Sequence, residues 1–329
     1  MASKTTTIAD HALIGSSAQL PATAATPTIS MSPITLASPS RPVPLQLRLT
    51  APTTGTNLPI VLLSHGHGQS NHLSSLNGYG PLVSHWAGHG FAVIQPTHLS
   101  SKSLSLPKET AGAPMFWRER VEDMKTILNQ LEELEDEAPF IKGRLDHERV
   151  AVVGHSLGSN TASLLLGMQT RDLDSGDMIN LAEPRIKAGI VLAAIGDGGD
   201  ALTEWARENL PFHREVDFKE MKAPTLVVAG DDDPSTHLTT RGWKWHADPY
   251  YLSTGPKSLF TLFGGDHCLS GISGYDAAET KGESIERVAS VQRMTSAYLT
   301  SALYPEDQAW PVAVDALRKI GSLGEVESK

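Results

Sequence analysis

The chain has 329 residues, 40% of them hydrophobic and 19% charged, which is enough apolar material to bury a core around a single large sheet. Its formal net charge of -10, with no run of five or more Lys or Arg, excludes a basic face that tracks phosphates, so nucleic acid is not expected as a partner. A single cysteine, Cys268, excludes an internal disulfide, and no window nears the ~20 consecutive apolar residues of a membrane span.

Residues 1–26 are rich in Ala, Thr and Ser without a period and read as a flexible tail. They lack the continuous apolar stretch of a secretory signal, which with the lone cysteine leads to an expectation of a cytoplasmic protein. Strands are predicted over Thr28–Leu36 and Val43–Thr50, the second alternating Val43, Leu45, Leu47, Leu49. Leu58 to Gly66 is a nearly continuous apolar run that breaks into glycines, as a strand buried on both faces does. Further apolar runs follow at Phe91–Gln95, Arg149–Val153, Ile186–Ile195, Pro224–Ala229 and Ser258–Phe263. A helix is predicted from about Met115 to Leu134, with Val121, Met124, Ile127, Leu128, Leu131 and Leu134 on one stripe.

Strands alternating with such helices imply an α/β fold: a mainly parallel sheet of about eight strands with helices on both faces. The expected organisation is one catalytic domain over residues 27–305, with residues 306–329 as a C-terminal extension. The long connection 196–223, between the sixth and seventh strands, suits either a small cap over a site or an ordinary covering helix. The segment Trp243 to Tyr251 adds four aromatics, read as core packing or as a pocket wall.

The central chemical feature is Gly154-His155-Ser156-Leu157-Gly158, placed directly after a predicted strand and before a predicted helix. A serine at so sharp a turn is pushed into the open, and the flanking glycines let strand and helix approach. A serine hydroxyl needs a base to take its proton, and the base needs a carboxylate to hold its tautomer. Both follow in chain order, each where a strand opens into a loop: the run Asp231-Asp232-Asp233 after Gly230, then His267 after Gly264-Gly265-Asp266. His155 fills the variable position of the elbow and is expected to bond locally, while Asp266 is expected to point away from His267. An oxyanion hole needs two amides; Leu157 supplies the first and His67, in Ser64-His-Gly-His-Gly68, the second.

His65, His67 and the aspartates invite a metal-cluster reading, but their spacing matches no metal signature. No phosphate-binding glycine motif is present either, so neither a metal nor a cofactor is expected.

Taken together, SHGHG, FAVIQPTH, the helix carrying Arg118 to Asp123, GHSLG, APTLVVAGDDD and GGDHC resemble the α/β-hydrolase superfamily. The likeness covers about Thr28 to Leu303 and points to the branch of chlorophyllases, platelet-activating-factor acetylhydrolases, dienelactone-hydrolase-like proteins and cutinase-like polyesterases. It implies a nucleophile at Ser156, a base at His267, an acid at Asp233 (third after a glycine) and oxyanion amides at His67 and Leu157. The chain carries Leu157 where chlorophyllases typically show arginine, and it lacks the disulfide of many secreted polyesterases. The expected substrate is a small-molecule carboxylic ester; lactone or thioester cleavage and acyl transfer need the same residues. A non-catalytic binding protein on this fold would normally have lost one of them.

Overall fold

A computed structural model describes residues 11–275 and 277–329 of the chain. Nine strands form the main sheet: β1 (Thr28–Leu36), β2 (Leu45–Pro52), β3 (Leu58–Ser64), β4 (Ala92–Pro96), β5 (Leu145–His155), β6 (Ile186–Leu192), β7 (Thr225–Gly230), β8 (Lys257–Leu262) and β9 (Gly324–Ser328). Their spatial order is β1-β2-β4-β3-β5-β6-β7-β8-β9. The run from β4 through β8 is parallel, while β1, β2 and β9 pair antiparallel at the two edges.

Period-2 alternation sorts the central strands between two cores. Ile60, Leu62, Val150, Val152, Val227 and Ala229 face one apolar layer, and Val61, Leu63, Ala151, Val153, Leu226 and Val228 face the other. The first layer is closed by α2 (Trp117–Asn129), α3 (Leu131–Glu137) and α4 (Leu157–Leu165), the second by α1 (Gly80–Gly88), α6 (Ile285–Leu303) and α7 (Ala309–Ile320). Because both faces are covered, these strands read as unbroken apolar runs, and each fully buried Val, Leu or Ile contributes roughly 1.5–3 kcal/mol.

The sheet has nine strands where about eight were expected. The additional strand, β9, has the sequence GEVES; pairing with β8 from Leu262–Gly324 to Ser258–Ser328 holds it, and no apolar period announces it. The helix expected over Met115–Leu134 is two helices, because Gln130 leaves helical geometry at φ -122°. A separate three-stranded sheet, Gln169–Arg171, Met178–Asn180 and Val216–Asp217, was not anticipated. Within the connection 196–223 lies α5 (Glu204–Asn209). Ala206, Leu210 and Phe212 of this connection join Leu157, Ile195, Leu238 and Trp245 in a third apolar cluster beside the Gly154–Gly158 turn. Of the segment read as a flexible tail, residues 1–10 lie outside the described residues. Leu20 beyond them is buried, and the Ser16 amide donates to Glu286 Oε1 at 2.6 Å.

Candidate active site

The turn that carries Ser156 is built by what cannot fit there. A side chain on Gly154 would overlap the Gly158 carbonyl, and one on Gly158 would overlap the Ser64 carbonyl at the end of β3. Glycine at both positions lets β5, α4 and β3 converge, and the chain turns between them with Ser156 at φ 53°, ψ -120°. Such backbone costs a non-glycine residue about 1–3 kcal/mol. It is secured by the Ser156 amide donating to the Leu192 carbonyl at 3.0 Å, and by Ser159 Oγ donating to the Ser156 carbonyl at 2.5 Å. Ser156 remains partly exposed.

His267 follows β8 through Gly264, whose φ of 65° turns the chain back toward the elbow. Its Nε2 lies 2.9 Å from Ser156 Oγ and its Nδ1 lies 2.7 Å from Asp233 Oδ2. Asp233 is buried, and its other oxygen accepts from Ser235 Oγ at 2.7 Å. The remaining aspartates face elsewhere: Asp231 Oδ1 accepts from the Gly264 amide at 2.5 Å, and Asp232 is exposed. Asp266 turns away from the serine, accepting from the amides of Ser270 at 2.8 Å and Lys281 at 2.9 Å. Burial works against protonating His267, but the Asp233 hydrogen bond and charge, with Asp266 behind, prevail and raise its proton affinity above the ordinary imidazole value. Burial pushes the Asp233 carboxyl up, yet hydrogen bonds from His246 and His267 and their charges hold it well below the usual carboxylate range.

His155 ties the three loops of the site together. One ring nitrogen, Nε2, donates to the His267 carbonyl at 2.8 Å, so Nδ1 is free to accept from the Tyr79 hydroxyl at 2.9 Å. Burial, chiefly, and the neighbouring His267 lower its proton affinity to about 3, in keeping with a neutral ring. Tyr79 Oη in turn accepts from the Gly66 amide at 2.9 Å. That amide is therefore taken, and the next one along the loop is that of His67. Leu157 is the first residue of α4, whose N–H has no acceptor within the helix. Burial and then the Arg120 charge lower the His67 ring to about 4, so it is neutral near pH 7.

A second Ser–His–Asp chain lies beneath this loop. Ser64 Oγ is 2.9 Å from His98 Nε2, and His98 Nδ1 is 2.8 Å from Asp123 Oδ2. All three are buried, and Ser64 also receives Arg120 Nη2 at 3.3 Å. Arg120, fully buried, further donates to Ser100 Oγ at 2.6 Å, to Thr161 Oγ1 at 3.0 Å and to the His65 carbonyl. Burial raises Asp123 to about 6 in spite of its ion pair with Arg41. Ser64 is sealed from solvent, and this chain braces the loop after β3 through the bonds of Arg120 and His98 to His65.

Sequence reasoning missed His246. The turn Gly242–Ala247 carries it into the site, where Nε2 lies 2.9 Å from Asp233 Oδ2. Asp233, His246 and His267 form the one group among the described residues whose atoms, all within 4.8 Å of one another, have a spacing that suits a metal ion. Asp233 Oδ2 already accepts from His267 Nδ1, and His246 Nε2 meets Ser235 Oγ at 3.0 Å beside it. His65 belongs to no such group, since its Nδ1 meets the Gly66 carbonyl at 2.6 Å and its Nε2 accepts from the His98 amide at 3.0 Å.

A family model described as chlorophyllase matches residues 23–184, just under half of the chain, a span that holds His67, Ser156 and Leu157 and ends before Asp233 and His267. Among curated proteins, Cutinase 1 of Thermobifida cellulosilytica is 26% identical over 173 residues, 53% of this chain and 47% of that protein. The cutinase of Thermobifida fusca (strain YX) is likewise 26% identical over 173 residues, 53% of this chain and 40% of its own. The chain thus spans about half or less of the length of the curated relatives it matches. Among the described residues no helix is long and apolar enough to cross a membrane. The parallel sheet and the glycine-flanked turn at its centre give the chain an α/β-hydrolase fold, and over the matched spans it is similar to chlorophyllases and to cutinases.

Proposed function

We propose that the protein is a carboxylic ester hydrolase that works through an acyl-enzyme on Ser156. The observation that carries this reading is the continuous chain from Ser156 Oγ through His267 to Asp233, at 2.9 and 2.7 Å, on a serine that solvent reaches. His267 Nε2 takes the hydroxyl proton as Ser156 Oγ attacks the ester carbonyl, and Asp233 stabilises the imidazolium so formed. The negative charge on the carbonyl oxygen falls to the amides of Leu157 and His67. His267 then returns the proton to the departing alcohol, and water repeats the sequence to free the acid.

Neutral, moderately apolar esters are the proposed substrates, with the aromatics of the segment Trp243 to Tyr251 following the Asp233 loop in the chain. The net charge of -10 disfavours anions at long range. The test is labelling with a fluorophosphonate probe followed by a panel of esters of graded chain length, extended to lactones and thioesters. Labelling of wild type and none of Ser156→Ala is expected, with neutral esters turned over faster than dicarboxylate half-esters. An active, labelled Ser156→Ala refutes the reading.

A further inference from the structure

We propose that Tyr79 is a positioning residue whose buried hydroxyl links the loop presenting the His67 amide to the loop carrying His267, and so sets one donor of the oxyanion hole relative to the base. This rests on the reading of Ser156, His267 and Asp233 as the triad and of His67 and Leu157 as the oxyanion amides. Hydrogen-bond accounting supports it. His155 Nε2 faces the His267 carbonyl at 2.8 Å, which can only accept, so the proton of this neutral ring sits on Nε2 and Nδ1 presents a lone pair. Tyr79 Oη lies 2.9 Å from Nδ1 and donates to it. Turning the hydroxyl proton to the Leu73 carbonyl, at 3.2 Å, would instead set two lone pairs against each other across the shorter gap. With its proton so directed, Oη is left to accept, and the Gly66 amide donates to it at 2.9 Å. The bonds therefore run one way, from Gly66 to Tyr79, from Tyr79 to His155 and from His155 to the backbone of the base.

The chain is arranged around that hydroxyl. Tyr79 and His155 are both fully buried, and Tyr79 stands just before α1 at φ 61°, its amide donating at 2.7 Å to the carbonyl of Ser273 in the segment after the base. A side chain on Gly66 would place its Cβ 3.2 Å from Tyr79 Oη and 3.3 Å from His155 Nδ1, so that both would have to shift; glycine there leaves room for the link. Beyond His67 the loop is gripped a second time by Glu279, whose Oε1 accepts from the amides of Gln69 and Ser70 at 2.9 Å each. The His67 amide lies between these two holds. Without Tyr79 Oη the far hold remains, but the buried Gly66 amide loses its acceptor and the peptide leading to His67 loses its anchor. A donor aimed at charge that develops only during reaction acts on the transition state rather than on substrate binding, so its misalignment falls on kcat.

The test is Tyr79→Phe, which removes the hydroxyl and keeps the ring. With a neutral chromogenic ester kcat is expected to fall by roughly 10- to 100-fold, less than the roughly 10²–10³ that follows loss of a whole oxyanion donor, with KM within about twofold of wild type. The inhibition constant of an arylboronic acid, which adds to the serine as a tetrahedral anion, is expected to rise in step with the fall in kcat. A folded variant that keeps its kcat, a loss carried by KM, or an unchanged boronic acid affinity overturns the proposal. Should the variant fail to fold, nitrogen-15 NMR of the wild-type protein decides: His155 is expected as a single neutral tautomer protonated on Nε2, and a proton on Nδ1 breaks the link. If the fluorophosphonate probe leaves wild-type Ser156 unlabelled, the triad reading fails, and the tautomer of His155 still reports separately on the bond from Tyr79.

Discussion

Asp233→Asn isolates the acid without disturbing its shape. In the native site Oδ2 accepts from His267 Nδ1 at 2.7 Å, which keeps the base with its lone pair on Nε2, toward Ser156. An asparagine that presents its NH2 to the two imidazoles forces Nδ1 of His267 to accept, and the ring proton moves to Nε2, where it blocks proton transfer. Presenting its oxygen instead keeps the tautomer but loses the negative charge. Unit charges 2.7 Å apart attract by about 6 kcal/mol at an effective dielectric of about 20, equivalent to roughly 10⁴ in rate, and a comparable triad loses up to about 10⁴ on the same change. We therefore expect kcat to fall between roughly 10² and 10⁴, measured as initial rates of chromogenic ester hydrolysis at saturating substrate. Asp231→Asn retains an oxygen for the Gly264 amide and Asp232→Asn changes an exposed side chain, so both should stay within about threefold of wild type. A crippled Asp231→Asn or Asp232→Asn beside an active Asp233→Asn would show that the acid has been misassigned.

Three further outcomes are expected. The base works only without its proton, and His267 holds its proton more tightly than an ordinary imidazole; kcat/KM should therefore decline as pH falls, with a midpoint above 6.5, and a midpoint below that contradicts the electrostatics of the site. In Gly158→Ala the new methyl meets the backbone carbonyls of Ser64 and His65, which cannot swing aside, so urea unfolding should show a loss near the upper end of about 1–3 kcal/mol; wild-type stability would mean that the packing of the turn has been misread. Prolonged dialysis against a chelator should leave ester turnover unchanged, since the proposed chemistry needs no Lewis acid; a loss restored by zinc would mean that Asp233, His246 and His267 hold a metal.

How far the sequence could be read depended on whether a feature was local. The strand Thr28–Leu36 has the boundaries its sequence suggests, and the buried central strands fell where apolar runs lay, because burial on both faces leaves that signature directly. Where an apolar run continues past the end of its strand, composition is blind: β6 stops at Leu192 because Ala193 turns to φ 43°, although Val191 to Ile195 is apolar throughout. The strand β9 was invisible for the opposite reason, since its hydrogen bonds to β8, rather than its side chains, place it. At the candidate site, Ser156, Asp233 and His267, which the fold brings within hydrogen-bond reach, were legible because each sits at the mouth of a strand next to glycines. His246 sits on a short turn between Trp245 and Ala247, and its meeting with Asp233 depends on that turn folding back over the acid loop, a contact that leaves no periodic trace.

The buried chain Ser64–His98–Asp123 bears on how active sites are recognised by shape. A template that scores only oxygen-to-nitrogen separations would return two matches among the described residues, at 2.9 and 2.8 Å in one and 2.9 and 2.7 Å in the other. What separates them is the state of the serine. Ser64 is sealed in regular strand backbone and already receives a guanidinium, whereas Ser156 stands on a kink at positive φ and is partly exposed. A template for hydrolase discovery gains its discrimination from accessibility and backbone angle at the nucleophile, and in this protein those two descriptors alone reject the decoy.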